Sequence, residues 1–562
     1  MGIVRHTSVR DSFRILIVNS AGSAVFVMIN VVSAGFFGVS TIIPNSIVLI
    51  DLITSVYLMT SLRLVVKFIY AELTHPERYS KKVLILGSSE LAIMARRAFD
   101  LDEENNYKIV GYVETNRHKS GKKMGGIQIY PYTEVKTLLE KHHISLFVIA
   151  TPGVSSKIRK QIIQTCIDKG VQVKTVPSIR SWLDNDLQTK HLKNIHIEDL
   201  LERNPIYLSN GKLKKQLYNR TIMVTGAAGS IGSEIVRQLC RYPIDRIVLV
   251  DQAETPLYNM ELELSQFQDP VVYHNILADI TDDCRMDTIF KEFQPDIVYH
   301  AAAYKHVPVM EDNPQEAVRN NVIGTKILAD LSIKHDVKTF IMISSDKAVN
   351  PTNVMGATKR AAEIYIQSLN NNISRTRFIT TRFGNVLGSN GSVISLFKEQ
   401  IDKGGPVTVT HPDINRYFMT ISEACQLVLE AASMGNGGEI FVFDMGKSVK
   451  IVNLARNMIK LSGYEPDVDI EIKFIGLRPG EKIFEELIYS TENNIPTYHP
   501  KILIAHVQEY DHEWIQARMK RFKQALKNQN DSELVMQLKE TIPEFKSNNS
   551  VYEKLDKKIS AV

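Results

Sequence analysis

Arg220-Thr-Ile-Met-Val-Thr-Gly226-Ala-Ala-Gly229-Ser-Ile-Gly232-Ser-Glu-Ile-Val-Arg237 joins an apolar run to three glycines at G-x-x-G-x-x-G spacing and then to an amphipathic helix. Glycine permits the tight turn and the close approach of a pyrophosphate, whose charge the free N–H groups of the helix favour. The next apolar run, Arg246-Ile-Val-Leu-Val-Asp251, ends in an acid 25 positions after Gly226. An acid at that point is placed to accept from a ribose hydroxyl, which favours NAD and leaves NADP open. Strand, glycines, helix, strand and terminal acid in order make a much stronger signal than a lone glycine motif. The candidate cofactor contacts here are Gly226, Ala228, Gly229, Ser230, Ile231, Gly232 and Asp251.

Working outward, Asp296-Ile-Val-Tyr-His300 reads as a strand with a small-residue exit, Ala301-Ala302-Ala303, against which a flat nicotinamide-ribose can lie. Phe340-Ile-Met-Ile-Ser344 is another strand and delivers Ser345-Asp346-Lys347. Catalytic groups in doubly wound folds sit at such strand ends.

The glycine turn, Ala278-Asp279-Ile280, His300-Ala-Ala-Ala303 and Asn321-Val-Ile-Gly324-Thr resemble the extended short-chain dehydrogenase/reductase family. The resemblance implies that Asp279 and Ile280 border the adenine, that Ala301, Ala302 and Ala303 line the cofactor, and that Asn321 and Lys359 also contact it. Most members carry Tyr and Lys four apart on a helix; here Lys359 is kept but Met355 replaces the tyrosine, and a thioether takes no proton. With Ser345-Asp346-Lys347 this is similar to the membrane-bound UDP-N-acetylglucosamine 4,6-dehydratases of capsule, O-antigen and protein-glycan synthesis. Ala302-Ala-Tyr-Lys305-His306-Val-Pro308, Phe383-Gly-Asn385-Val-Leu-Gly-Ser389-Asn-Gly391-Ser-Val393, Arg416-Tyr-Phe-Met and Leu477-Arg478-Pro-Gly-Glu481-Lys482 extend the resemblance over nearly the whole chain.

Such a reaction oxidises C4 of the sugar, removes the acidified C5 proton while the C6 hydroxyl leaves, and returns hydride to C6, so an acid and a base must stand together. The resemblance makes Asp346 the acid at C6 and Lys347 the base at C5. Ser345 would hold the C4 oxygen, and Lys359 would orient the nicotinamide ribose. These roles call for a carboxyl kept protonated and a lysine kept neutral, which burial can supply. Arg478 and Arg416 would meet the diphosphate. Asn385 and Ser389 would donate to diphosphate or sugar, Lys305 and His306 would face the sugar, and Val393 and Glu481 would complete the substrate contacts.

Upstream, Lys82-Val-Leu-Ile-Leu-Gly87-Ser-Ser89-Glu-Leu-Ala92 opens another strand–turn–helix, with strands expected at Lys108 to Val113, Leu146 to Ala150 and Val171 to Val176. Ser89 replaces the second glycine and puts a side chain where a pyrophosphate would approach, so this fold reads as structural or regulatory. Its Thr151-Pro-Gly-Val-Ser-Ser156 loop leaves room for a different anion. Further upstream, Ile15 to Phe37 carries no charge, and a second apolar stretch runs from Ile43 to Val65 with Asp51 and Arg63 inside it. Each is long enough for the roughly 20 residues of a spanning helix. Arg5, Arg10 and Arg14 precede the pair, Lys67, Arg78, Lys81 and Lys82 follow it, and the link from Gly38 to Asn45 has no Lys or Arg. That pattern predicts a hairpin in the bacterial cell membrane with both ends cytoplasmic. Asp51, costly in lipid, is expected to face the other helix or a partner. Many relatives have four spans where two are read here, which points to a shortened N-terminus.

The expectation is an α/β chain with an N-terminal transmembrane helical hairpin (1–75), a degenerate Rossmann-like domain (80–180), a connector (181–218) and an NAD(P)-binding nucleotide-sugar dehydratase domain (219–510). Both Rossmann-like domains are doubly wound, the second an extended short-chain dehydrogenase/reductase fold. The tail (511–562), with a helix over Trp514 to Leu526, reads as packing or homo-oligomer contact followed by disorder. A net charge of +5 spread over 562 residues argues against a nucleic-acid binder. The four cysteines show no metal or disulfide spacing, so no metal is expected. Two other readings stay open: a UDP-hexose 4-epimerase, and a non-catalytic nucleotide-sensing or assembly protein in which Met355 marks a dead site.

Overall fold

Five buried residues, Thr221–Thr225, three of them apolar, form an inner strand of a nine-stranded sheet in a computed structural model of the chain. The structure describes residues 9–37, 42–74, 81–102, 106–151, 153–177, 189, 192–195, 211–267, 271–370, 375–487, 494–505 and 508–559. Arg5, Arg78, Pro152, Asn204-Pro205 and most of the expected connector lie outside these residues. Two compact units are present, Met1–Gly153 with Val173–Asn194, and Val154–Gln172 with Ile195–Val562.

The first unit begins with α1 (Val9–Phe37) and α2 (Asn45–Thr74). Phe13–Ser33 and Asn45–Val66 are long and apolar enough to cross a membrane, with mean hydropathies of 2.1 and 1.7. Only 11% and 6% of these windows are buried, the reverse of a core helix in a soluble protein. Asn30 ties the hairpin: its Nδ2 donates to the Ile43 carbonyl (2.6 Å) and to Asn45 Oδ1 (3.0 Å). Asp51, expected to face the other helix or a partner, does not face the other helix: it is exposed, and its carboxylate accepts a long bond from Ser55 Oγ (3.3 Å), one turn along its own helix. The hairpin already has its polar clasp in Asn30, which leaves Asp51 on the outer surface.

Seven strands follow: β1 (Lys81–Leu86), β2 (Tyr107–Glu114), β3 (Lys123–Met124), β4 (Ile127–Pro131), β5 (Leu146–Ile149), β6 (Gln172–Thr175) and β7 (Lys193–Asn194), in the order β3-β4-β2-β1-β5-β6-β7. β1 pairs parallel with both β2 and β5, so the strand order reverses beside β1.

The second unit carries β8 (Thr221–Thr225), β9 (Arg246–Asp251), β10 (Val272–Leu277), β11 (Ile297–His300), β12 (Thr339–Ile343) and β13 (Arg377–Arg382) in the parallel order β10-β9-β8-β11-β12-β13. Ile440–Phe443 extends the sheet in parallel, and Ile502–Ala505 and Asn494–Pro496 close it antiparallel. The inner strands β8, β9, β11, β12 and β13 are buried on both faces, as expected of a sheet covered by helices. The order reverses between β8 and β11, the switch point at which doubly wound folds bind ligands.

The tail is helical and packed, as expected, and departs from expectation only at its end. His512–Asn528, Asp531–Thr541 and Glu553–Ile559 are helices, and Ile515, Met519, Phe522, Leu534, Val535 and Leu538 share one core with Met355. The segment read as disordered is described to residue 559. Its backbone and side chains bond the 477–481 loop: Gly480 N–H to Asn548 O (2.8 Å) and Asn549 Nδ2 to Leu477 O (2.8 Å).

Candidate active site

Two neighbouring features occupy the C-terminal ends of the parallel strands in the second unit: a cavity beside β8, β9 and β11, and a buried charged cluster after β12.

The cavity, of about 270 Å³, is lined by Gly226, Ala228, Gly229, Asp251, Ile280 and Ala301 to Ala303 from the expected set. Gly226 has φ +66°, and a Cβ there would stand 2.6 Å from Ala302 N, so the turn closes onto the β11 exit only as glycine. Asp251 Oδ2 accepts from the Ala228 N–H (2.9 Å) and Oδ1 from the Ala253 N–H (3.0 Å), which fixes the carboxylate at the cavity wall. Gly229 caps the helix Ser230–Leu239, presenting its N-terminus to the turn. Small side chains, backbone N–H groups and one fixed acid are the groups that a dinucleotide needs, and the cavity fits one.

The remaining expected contacts are placed differently. Ser230 Oγ accepts from the Asn390 N–H (3.2 Å), Ile231 and Gly232 belong to the helix packed behind the turn, and Asp279 is exposed beside the cavity. Asn321 is a correction: only 1% exposed, it does not line the cavity. Its Oδ1 accepts from Tyr304 N–H (2.9 Å), while Nδ2 donates to Tyr304 O (3.0 Å) and Thr358 Oγ1 (3.1 Å). It braces the loop after β11 from a π-helical turn, Arg319–Gly324, whose preceding residue Asn320 does reach the cavity. Gln252, Tyr304, Asn320 and Asn390 line the cavity without having been singled out. Gln252 Nε2 donates to Tyr304 Oη (3.1 Å) across its wall, and the signal available for both was adjacency to Asp251 and Ala303.

After β12 the chain turns through a short 3₁₀ segment, Asp346–Ala348. Asp346 is fully buried; Oδ1 accepts from Ser345 Oγ (2.8 Å) and Lys347 Nζ (3.0 Å), and Oδ2 meets no hydrogen-bond partner among the described residues. Lys347 Nζ also donates to Asn385 Oδ1 (3.2 Å) and lies 3.9 Å from Glu485 Oε1. Gly356 makes this loop possible, because a Cβ there would strike the Lys347 carbonyl at 2.1 Å. Beneath it Ser344 Oγ donates to Glu363, which Arg382 (2.6 Å) and Arg360 (3.2 Å) neutralise in the interior. Breaking such a buried pair costs about 3–5 kcal/mol, so the loop rests on a stiff base.

Electrostatics correct one expectation. Burial works to strip the proton from Lys347, but the Asp346 carboxylate, joined by Glu485 when that is ionised, outweighs it and holds the ammonium above its ordinary value. In this resting arrangement Lys347 is a cation. Lys359 behaves in the opposite way: burial lowers it to about 8, against the pull of Glu363, and its Nζ donates to the Ile343 carbonyl (2.9 Å). Met355, 2% exposed, is packed in the core and offers no proton. Partial burial, then the charge of Lys347, lowers Lys305; burial, then Lys305, lowers His306.

Three of the expected substrate contacts are engaged within the protein. Arg416 is buried, and its guanidinium is spent on the carbonyls of Asn415 (2.7 Å), Ile483 (3.2 Å) and Lys482 (2.8 Å), so it braces the 481–485 loop. Glu481 serves the same loop, accepting from the Arg478 N–H (3.1 Å) and pairing with Arg416 (3.5 Å). Ser389 is buried and donates to Val386 O (3.3 Å). Arg478 is exposed on that loop, and Val393 is half-buried at the start of the helix Val393–Asp402. Glu485, which the sequence reading passed over, is the unforeseen member: buried, 3.9 Å from Lys347 Nζ and 3.8 Å from Arg416 Nε.

Residues 222–507 match the family described as polysaccharide biosynthesis protein, and residues 78–176 match a CoA binding domain family. The chain is 44% identical over 433 residues to the capsular polysaccharide biosynthesis protein CapD of Staphylococcus aureus, covering 76% of this chain and 72% of that one. It is 33% identical over 280 residues to a UDP-N-acetylglucosamine 4,6-dehydratase (inverting) of Campylobacter jejuni, covering 49% and 79%. It is also 33% identical over 281 residues to a UDP-glucose 4-epimerase of Rickettsia canadensis, again covering 49% and 79%. Equal identity to a dehydratase and an epimerase means that the site, not overall likeness, must separate the two reactions.

Proposed function

The chain belongs to the polysaccharide biosynthesis protein family, and from that premise we propose that it is a UDP-N-acetylglucosamine 4,6-dehydratase anchored in the bacterial cell membrane by its apolar hairpin. The product is a UDP-4-keto-6-deoxy-N-acetylhexosamine with C5 configuration retained, made on the cytoplasmic side for surface polysaccharide or protein-glycan synthesis by a homo-oligomer.

The observation that carries this reading is the buried Asp346–Lys347 pair, joined at 3.0 Å beside the cavity, with Met355 where an ordinary alcohol dehydrogenase of this fold needs a hydroxyl. An epimerase has no use for an acid and a base aimed at C5 and C6. Gly226, Ala228, Gly229, Asp251 and Ala301 to Ala303 would hold a nicotinamide dinucleotide, which when bound would supply the hydride acceptor for C4 and the hydride donor for C6. The fixed Asp251 carboxylate repels a 2′-phosphate, so NAD is preferred over NADP.

The resting ion pair becomes the working acid and base by one internal move. Transfer of a proton from Lys347 Nζ to Asp346 Oδ1 along their hydrogen bond leaves a neutral amine and a carboxylic acid. The amine takes the C5 proton, acidified by the C4 ketone, and the carboxylic acid protonates the C6 hydroxyl as its C–O bond breaks and water departs. As hydride reaches C6, Lys347 returns a proton to C5, and the proton released from the C4 hydroxyl on its oxidation restores the ammonium, so the pair ends again as ammonium and carboxylate. Ser345, which donates to Asp346 at rest, is placed to turn its hydroxyl to the C4 oxygen. Arg478, exposed on its loop, takes the diphosphate.

Incubating the full-length protein in lipid nanodiscs with UDP-N-acetylglucosamine in D₂O, followed by proton NMR, tests the reading. A C6 methyl signal beside a C4 ketone or its hydrate, with deuterium at C5, is the expected result and gives the C5 stereochemistry directly. UDP-N-acetylgalactosamine would make the protein an epimerase. Unchanged substrate with cofactor bound would remove the proposed reaction.

A further inference from the structure

Glu485 lies on the loop between Asn415–Arg416 and the tail, and its side chain is 4% exposed. A charged side chain buried to that degree is normally paired at hydrogen-bond distance. Glu485 is not: Oε1 stands 3.9 Å from Lys347 Nζ and 3.8 Å from Arg416 Nε, and Oε2 meets no hydrogen-bond partner among the described residues. Its surroundings are otherwise fully committed. Arg416 holds three backbone carbonyls, Glu481 holds the Arg478 N–H, Lys482 Nζ donates to Val349 O (3.0 Å), and Asp346 already accepts from Lys347. Lys305 adds positive charge from the far side of Lys347. The carboxyl of Glu485 therefore faces the catalytic lysine from within the protein, with no hydrogen bond to hold it ionised.

We propose that Glu485 is a positioning residue that sets the charge state of Lys347: as a neutral carboxylic acid it leaves the lysine with a single anionic neighbour, Asp346, and so permits the internal proton transfer, whereas as a carboxylate it locks Lys347 as a cation. This rests on the dehydratase reading above. Burial, the dominant influence on Glu485, pushes its carboxyl upward, in the direction that the role requires; Asp346 adds to it, and Lys347, Arg416 and Lys482 oppose it. The consequence is an alkaline loss of turnover as Glu485 ionises. It is separate from a second loss, expected near pH 8, where Lys359 gives up its charge.

The test is the pH profile of kcat for full-length wild type, Glu485→Gln and Glu485→Met, each read by the C6 methyl signal in D₂O. Both variants put an uncharged side chain of similar length at the position. The expected result is that at least one variant forms product and has lost the alkaline limb that depends on Glu485, keeping only the loss near pH 8. A profile unmoved in both variants, or both folded variants inactive at every pH, overturns the role, since a merely structural Glu485 would change stability or KM but not the alkaline midpoint. Wild type that forms no methyl product would sink the dehydratase reading itself, and this inference with it.

Discussion

The two glycine turns of this chain share a plan and differ in what their polar groups do. In the second unit the acid at the end of β9, Asp251, accepts from the Ala228 N–H of the turn, and the cavity wall is left to backbone and methyl groups. In the first unit the acid at the end of β2, Glu114, accepts instead from the Ser88 hydroxyl (2.5 Å) and the Thr115 N–H (3.0 Å), with Lys119 at 4.0 Å. Lys119 also donates to Ser88 Oγ (3.2 Å). Burial pushes the Glu114 carboxyl up, but these bonds outweigh it and hold it below its ordinary value. One substitution class, serine for small residues in the turn, thus converts a ligand-facing acid into an internally satisfied one. A strand–turn–helix is a scaffold for anion binding only while its own side chains leave the backbone free.

The largest effect that sharpens this contrast lies in the second unit. Asp346→Asn, which cannot give a proton, should lower dehydratase turnover by about 10²–10⁴-fold without loss of bound cofactor, measured by NMR rate and by cofactor release on denaturation. An effect below tenfold would mean that the acid lies elsewhere. Next, Asp251→Ala should weaken cofactor affinity by about 10-fold or more, with turnover recovering at high cofactor, as read from the cofactor dependence of the rate. The matching change in the first unit, Glu114→Ala, should leave turnover within about twofold and cost that unit on the order of 1 kcal/mol, seen as a lower melting transition. If Glu114→Ala abolished turnover, the two units would not divide structure from chemistry in the way their turns suggest. The smallest effect is acid sensitivity. The carboxyl of Glu114 is lowered in the folded state, so its contribution is present above the ordinary carboxylate range and is lost as pH falls through its folded value. Glu114→Gln should flatten that part of the acid unfolding curve of the first unit.

Much of the site was legible because its parts are local. A glycine turn, the acid closing the next strand and three small residues at a strand exit are each defined within a few residues, and the period of the apolar runs says where each strand ends. Asp346 and Lys347 were visible for the same reason, adjacent and just past an apolar strand. The end of the tail was misread as disordered because its charges dominate the pattern while Phe545, Tyr552 and Leu555 join a core shared with Met355, far back in the sequence. Arg416 and Asn321 have the side chains of ligand contacts, and nothing in their neighbours reveals that backbone carbonyls and N–H groups already engage them.

The amino-acid sequence alone determined the alternation of strands and helices, the apolar hairpin, the ribose-facing acid and the acid–base pair, since these depend on short-range pattern and residue chemistry. Tertiary structure alone decided how those groups are charged. Lys347 is a cation because Asp346 beside it, with Glu485 from a distant loop when ionised, outweighs the cost of its burial, while Lys359, with a single acid nearby, is driven down to about 8. Charge state in an interior is set by the balance of desolvation against neighbours, and neighbours are assigned by the fold.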